Sequence, residues 1–338
     1  MQLAMAKLGN GAKSLVSLLD AKEALTVPVV VFLGGLAAAN PSTVEHPDSR
    51  RALIGSAALI AVWCGAAAGC PSWFGTSSRL ARLGRDLLVL ALCMVVYPST
   101  RWAVPLIHDS HYDGALAAAD RWMFGGRDPL PLLDPLVHPL STAALGLAYS
   151  CAWVPGVALG FLLYARGRDR ELSDLLLGLV LVQYAGYIGY FLVPAVGPWY
   201  GLADRFSVSL GDSWWIASYR SHSTGSDAFP SLHIATTVLV GCFAWRDCRR
   251  LWLLMCPLIG AIGLSTMYLR WHYVTDVIAG LVLAAAGRLL APRLNDAWAQ
   301  VRSGWSSPSH RPVAAGASTH TDSCCTQESA NQEKPCAS

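Results

Sequence analysis

Long apolar runs separated by short polar interruptions dominate this chain. A helix needs about 20 mostly apolar residues to cross the hydrocarbon core of a bilayer. Eight runs approach or meet that length: 24–39, 52–69, 87–107, 140–164, 175–193, 232–245, 251–269 and 274–290. The pattern predicts an all-α, polytopic integral membrane helix bundle of about eight transmembrane helices. The first run follows Lys7, Lys13 and Lys22 and ends on Ala37-Ala38-Ala39, which describes a cleavable signal peptide as well as a retained anchor. Its long leading segment with Asp20 and Glu23 favours the anchor. The sixth run is short, covering roughly 21 Å at 1.5 Å per residue against a core of about 30 Å. One end must dip, the bilayer must thin, or other helices must shield it. Residues 1–23 then form an N-terminal cytoplasmic segment and 24–292 the transmembrane catalytic domain. Beyond Arg293 the chain turns to Ser, Pro, Ala, Gln and Glu, and 293–338 is expected to be a disordered cytoplasmic tail.

Arginine clusters orient the runs. Arg79, Arg82 and Arg85 lie between the second and third, Arg166, Arg168 and Arg170 follow the fourth, and Arg246, Arg249 and Arg250 follow the sixth. If every run crosses once these clusters share one side, and the positive-inside rule makes it the cytoplasm. Arg50 and Arg51 fall on the other side and run against the scheme. Two long loops, 98–139 and 194–228, belong to the extracytoplasmic or luminal face. The second carries Trp199, Tyr200, Trp214 and Trp215, which read as interfacial anchors.

Composition agrees: 54% of residues are hydrophobic and 14% charged, against about a quarter charged in soluble domains. A net charge of +3, scattered along the chain, gives no reason to expect a nucleic-acid partner. Cys64, Cys70, Cys93, Cys151, Cys242 and Cys256 lie in or beside apolar runs as small hydrophobes, and Cys324, Cys325 and Cys336 lack metal-ligand spacing.

Two polar strings interrupt the apolar pattern on the outer side: Phe229-Pro230-Ser231-Leu232-His233 and Arg270-Trp271-His272-Tyr273-Val274-Thr275-Asp276. Ionisable groups at a membrane segment are expensive and mark function. His272 and Asp276 are four apart, so in the first turn of a helix they share a face. The carboxylate can accept one ring proton, fix the tautomer and leave the other nitrogen free to attack. The hairpin between the strings returns His233 towards His272, where it serves as the acid for a leaving oxygen. Pro230 is a favoured helix start, so the amides around Ser231, Leu232 and His233 are a place for an anion. The Ser231 hydroxyl adds a donor and Arg270 a fork that matches phosphate oxygens. Two ordinary roles compete: Ser231 as a plain helix cap and Arg270 as a snorkelling interfacial arginine. The chemistry is phosphoryl transfer through a phosphohistidine, with no cofactor and no metal.

At these residues the chain resembles the type-2 phosphatidic-acid phosphatase superfamily, in the branch of the inositol phosphorylceramide synthases. Ala228-Phe229-Pro230-Ser231-Leu232-His233 is similar to that branch's second motif, with Leu232 where the phosphatases have glycine, and His272-Tyr273-Val274-Thr275-Asp276 to its third. Gly197-Pro198-Trp199-Tyr200 resembles a segment that precedes them in the synthases. The resemblance implies a six-helix phosphatase-like core, with His272 as nucleophile, Asp276 as its carboxylate and His233 as acid and base. It departs at the phosphate site. No lysine-and-arginine first motif precedes His233, and the position six before the nucleophile is Thr266. Arg270, or with less support Arg205, is the expected substitute. The partners implied are a phospholipid or other lipid phosphate and an acceptor: water for a phosphatase, or a sugar, inositol or lipid hydroxyl for a transferase. A transporter or scaffold that retains a phosphate pocket without turnover is the competing reading.

Overall fold

The computed structural model describes residues 19–39, 78–211 and 214–306, without the side chains of 214, 215 and 304–306. The run 52–69 and the cysteines of the tail lie outside them, as do Arg50 and Arg51. The chain is an all-α bundle: α1 Ala21–Ala39, α2 Arg79–Ala103, α3 Asp113–Met123, α4 Pro139–Ser150, α5 Val154–Ala165, α6 Asp169–Leu192, α7 Trp214–His222, α8 Leu232–Asp247, α9 Arg249–Tyr268 and α10 Val274–Ser306. Among the described residues six segments are long and apolar enough to cross a membrane: Ala21–Ala39, Arg79–Leu106, Pro139–Ala165, Asp169–Leu192, Arg249–Tyr268 and Val274–Ser303. The protein is an integral membrane protein.

The short sixth run is α8, and neighbours shield it. It packs on α5, α6, α9 and α10, with Ala235, Leu239, Phe243 and Ala244 fully buried. Facing residues of α6 (Leu175, Leu177, Val180) and of α10 (Ala284, Ala291) complete the core. The exterior is the inverse of a soluble protein's: Val31, Phe32, Leu140, Val157, Phe161, Leu254 and Val282 are exposed. With lipid as solvent such residues gain little from packing inward, so close packing and polar contacts hold the helices together.

One set of those polar contacts joins arginines and carboxylates at one end. Arg79 and Arg82 pair with Asp169 (both 2.8 Å), and Arg168 and Arg246 reach Asp247 (3.3 and 2.9 Å). The three arginine clusters therefore meet at the C-terminal end of α8, and the histidine strings lie at its other end. Lys22 and Glu23, expected in a cytoplasmic lead-in, belong to α1 and are buried against Asp86 and Arg85.

Two expectations change. The run 140–164 is two helices, α4 and α5, separated by a turn at Cys151-Ala152-Trp153. Pro155 follows at the start of α5, where it has no N–H to give and its ring would crowd the Cys151 carbonyl of a continuous helix. The last helix also does not stop near Arg293 but continues to Ser306. Polar contacts that composition does not reveal hold the extension: Asn295 donates to Asp174 (2.7 Å), Asp296 pairs with Arg170 (2.7 Å), Trp298 Nε1 donates to the Leu19 carbonyl (2.8 Å) and Arg302 pairs with Asp20 (2.7 Å). Residues 307–338 lie outside the described residues.

Candidate active site

The N-termini of α8 and α10 lie side by side. The Ser231 N–H donates to the Asp276 carbonyl (3.1 Å) and so ties one polar string to the other. Gly280 permits this approach, because a Cβ there would stand 2.6 Å from the Ser231 carbonyl oxygen. Helix α8 begins at Leu232 rather than at Pro230. Ser231 is its N-cap, extended in backbone and accepting from the Ile234 N–H (3.5 Å). Its own N–H is thus engaged, and the amides left without intrahelical acceptors at this terminus are those of Leu232 and His233.

His272 sits in the turn before α10. Its N–H and that of Trp271 donate to the Thr266 carbonyl (both 3.1 Å). Thr266 is fully buried and its hydroxyl donates to the Gly263 carbonyl (2.8 Å). On the ring, Nδ1 is 2.7 Å from the Ala228 carbonyl and 3.5 Å from Asp276 Oδ2. A carbonyl only accepts, so Nδ1 carries the hydrogen and Nε2 presents the lone pair. The tautomer expected of the carboxylate is set first by a backbone oxygen of the other string. Asp276 Oδ2 instead takes the Tyr273 N–H (2.8 Å), closing the first turn of α10, and Oδ1 is buried without a hydrogen-bond partner. The carboxylate still places a negative charge beside the ring.

His233 lies 6.3 Å from His272 between ring centroids and stacks on Tyr149 (4.0 Å, 22° between planes). Both histidines line a cavity of about 320 Å³ whose walls include Tyr97, Tyr187, Tyr190, Tyr219 and Trp271. Asp227 is the carboxylate on this wall, held by the hydroxyls of Tyr97 and Ser223 and by the Thr224 N–H. Arg101 donates to the carbonyls of Ser221 and Ser223.

Neither expected phosphate-binding arginine faces this cavity. Arg270, in a left-handed backbone conformation (φ 65°), turns its guanidinium to Asp134 (3.0 Å) and the Val208 carbonyl and stacks it on Phe206. It lines a separate cavity of about 270 Å³ with Ser207 and Arg220, across Trp271 from the histidines. Burial lowers its pKa from the ordinary arginine value, and the Asp134 charge opposes the shift. Arg205 is 57% exposed, beside Asp128 and Asp204. The Trp199 N–H donates to the Arg270 carbonyl (2.9 Å) and its ring meets Trp271 and Arg220, so Trp199 braces the second string. Trp214 and Trp215 have side chains outside the described residues.

Helix α3 supplies two residues to which sequence reasoning gave no role. Asp113 accepts from the N–H groups of Val196 and Gly197 and from the Tyr273 hydroxyl (2.9, 2.8 and 3.0 Å). Asp120 accepts from the N–H groups of Val274 and Thr275 and from the Thr275 hydroxyl (2.8, 2.9 and 2.6 Å). They are seven residues apart, two turns on one helix face. That spacing was the available signal. Burial, and then the charge of Asp113, raise the pKa of the Tyr273 phenol above its ordinary value, so it is a donor here.

His233, His272, Asp276 and the N-terminus of α8 all fall within one stretch that matches a known family. Residues 114–290 match the PAP2 superfamily. The chain belongs to this superfamily. The match runs from α3 through the apolar part of α10. It contains both histidines and Asp120, while Asp113 stands one residue before it and α1 and α2, with the cavity residue Tyr97, precede it. A relative described as phosphoinositol dihydroceramide synthase, from Bacteroides thetaiotaomicron, is 26% identical over 195 residues, covering 50% of this chain. The chain spans 64% of that relative's length. No solved structure matches.

Proposed function

We propose that the protein transfers a phosphoryl group from a lipid phosphate ester to an acceptor hydroxyl, through a phosphohistidine at His272, on the extracytoplasmic side of its membrane. His272 Nε2 attacks phosphorus and forms the N–P bond while the bond from phosphorus to the leaving oxygen breaks. His233 gives that oxygen its proton. In the second half-reaction His233 takes the proton of the acceptor hydroxyl, the acceptor oxygen bonds to phosphorus and the N–P bond breaks. Asp276 stabilises the positive ring while it carries phosphorus, and the amides of Leu232 and His233 receive phosphate oxygens, while Ser231, fully buried and off the cavity wall, caps the helix that presents them. The observation that carries this reading is the 2.7 Å contact of His272 Nδ1 with the Ala228 carbonyl, which leaves Nε2 unprotonated beside His233. The arginine clusters at the far end of α8 support the sidedness. The cavity's aromatic lining and the relative's description as a synthase support transfer to an organic hydroxyl over hydrolysis.

The test is turnover of lipid phosphate by purified protein with and without polyol or lipid acceptors. His272→Ala is expected to abolish release and transfer while the protein still inserts and melts normally, and wild type is expected to trap ³²P on His272 in acid-quenched samples. No turnover by wild type, with the biological activity unchanged in His272→Ala, would leave the transporter or scaffold reading, unchanged turnover in His272→Ala would remove His272 as nucleophile, and inactivation by chelators would mean a metal site.

A further inference from the structure

The second cavity, across Trp271 from the histidines, carries positive charge that its surroundings leave uncompensated. Arg220 and Arg270 both line it, and among the described residues no carboxylate does. Asp134 pairs with Arg270 but also takes the Ser207 N–H and hydroxyl (2.6 and 2.8 Å), so its charge is already engaged. Arg220 has no ion pair among the described residues and lies over the Trp199 ring (5.1 Å). Burial, and to a smaller degree the charge of Arg220, lower the Arg270 pKa, so the two cations act on each other. An anion shared by both would replace that repulsion with attraction.

Both guanidinium groups are held by aromatic rings and have donors to spare. Arg270 lies on Phe206 (3.8 Å) and Arg220 on Trp199, and stacking uses the face of a guanidinium while leaving its N–H edge free. Both hydrogen bonds of Arg270 leave from Nη2, so among the described residues its Nε and Nη1 hydrogens have no acceptor, although the residue is only 9% exposed. Ser207, Val208 and Ser209 on the same wall are exposed, which gives an anion a way in. Two forks suit phosphate, whose oxygens can accept from both at once. A cavity of about 270 Å³ holds more than a bare phosphate and leaves room for an esterified one. This phosphate is not the reacting one: Trp271 stands on the wall of both cavities, while His233 and His272 line only the other.

We infer that Arg220 and Arg270 form a second anion site that holds a non-reacting phosphate group, supplied by the headgroup of an anionic lipid or by free phosphate. Its occupant adjoins the second polar string, because Arg270 stands two residues before His272 and its carbonyl takes the Trp199 N–H. The site does not depend on the phosphotransfer reading.

The full-length chain in a maltoside, a detergent without phosphate, would be titrated with ³²P-labelled inorganic phosphate by equilibrium dialysis, alongside Arg220→Gln, Arg205→Gln and His272→Ala. Wild type and His272→Ala are expected to share a site whose affinity falls about tenfold or more in Arg220→Gln, the loss of charge-assisted hydrogen bonds to one guanidinium. Arg205 is exposed and off this cavity wall, so Arg205→Gln is expected to bind as wild type does. Binding by Arg220→Gln within twofold of wild type, or an equal loss in Arg205→Gln, overturns the inference. Arg220 is itself exposed, so Arg220→Gln should fold. In His272→Ala, short-chain phosphatidylglycerol but not the matching diacylglycerol is expected to displace the label where the occupant is a headgroup, and displacement by neither assigns the site to free phosphate. An Arg220-dependent site in a chain without His272-dependent turnover would refute the proposed function and leave this inference standing.

Discussion

Removing the Asp120 carboxylate should damage the site from a different helix. The group is 1% exposed and takes three hydrogen bonds from the start of α10, two from backbone N–H groups and one from the Thr275 hydroxyl. Asp120→Ala leaves the half-buried Val274 and Thr275 N–H groups without their partner, at about 1–3 kcal/mol each. The lost N-terminal cap is part of the same loss, about 1 kcal/mol in ordinary helices. The Thr275 hydroxyl can rotate to another acceptor, so the sum is roughly 3–5 kcal/mol rather than that of three independent bonds. Asp120→Asn keeps the volume but sets an NH2 against an N–H, and should cost nearly as much. Since these bonds fix the turn that carries His272, turnover should fall mainly in kcat, with KM for the lipid little changed. The assay is thermal unfolding in a fixed detergent, with initial rates at saturating lipid. A stability within about 0.5 kcal/mol of wild type for Asp120→Ala, the range of an unremarkable surface change, would refute the reasoning. So would an unchanged kcat.

Arg270→Ala should lower stability by roughly 3 kcal/mol, because Asp134 loses its buried partner and keeps only the Ser207 N–H and hydroxyl. Arg205→Ala, at an exposed pair, should stay within about 0.5 kcal/mol; a reversed order in unfolding experiments would refute both assignments. On a cysteine-free background Asp204→Cys should react with an impermeant maleimide added from outside the cell and Arg250→Cys only after permeabilisation. The opposite labelling pattern would invert the proposed topology.

The spans were legible because lipid-facing and buried helix faces are both apolar, which leaves runs that any hydropathy reading detects. His233, His272 and Asp276 stood out as candidates because ionisable residues are rare in such runs, and a spacing of four implies one helix face. What escaped the reading was either backbone or remote. The acceptor at His272 Nδ1 is the Ala228 carbonyl, and a carbonyl carries no sequence signature. Arg270 looked like a ligand of the reacting phosphate because its neighbours in sequence gave it no carboxylate, whereas its partner Asp134 is 136 residues away. The α10 extension reads as a polar tail because its partners, Asp20, Arg170 and Asp174, lie at distant points of the chain. The break in the fourth run was available in Pro155 but was submerged by the hydropathy around it.

The remaining question of charge leads to a test at a glycine. Among the described residues lining the cavity of the two histidines there is no lysine or arginine, so in the proposed reaction the arriving phosphate depends on the N-terminus of α8 and on histidine. That terminus is held by the close approach of α10 at Gly280. A Cβ there would meet the Ser231 carbonyl oxygen at 2.6 Å and the Ile234 Cβ at 3.1 Å. Neither atom is the end of a flexible side chain, so Gly280→Ala must push α8 away from α10 and separate His233 from His272. A displacement of about 1 Å at a reacting pair can reduce turnover about 100-fold. Because the same displacement moves the anion-binding amides, competitive inhibition by inorganic phosphate should weaken together with kcat. Gly260→Ala, where an added Cβ meets nothing within 4 Å, is the control for a helix glycine in the same bundle. If Gly280→Ala keeps both turnover and phosphate inhibition within twofold of that control, the α8 terminus is not what holds the phosphate. A cation from outside the cavity wall, such as Arg101 behind Ser223, would then have to do so.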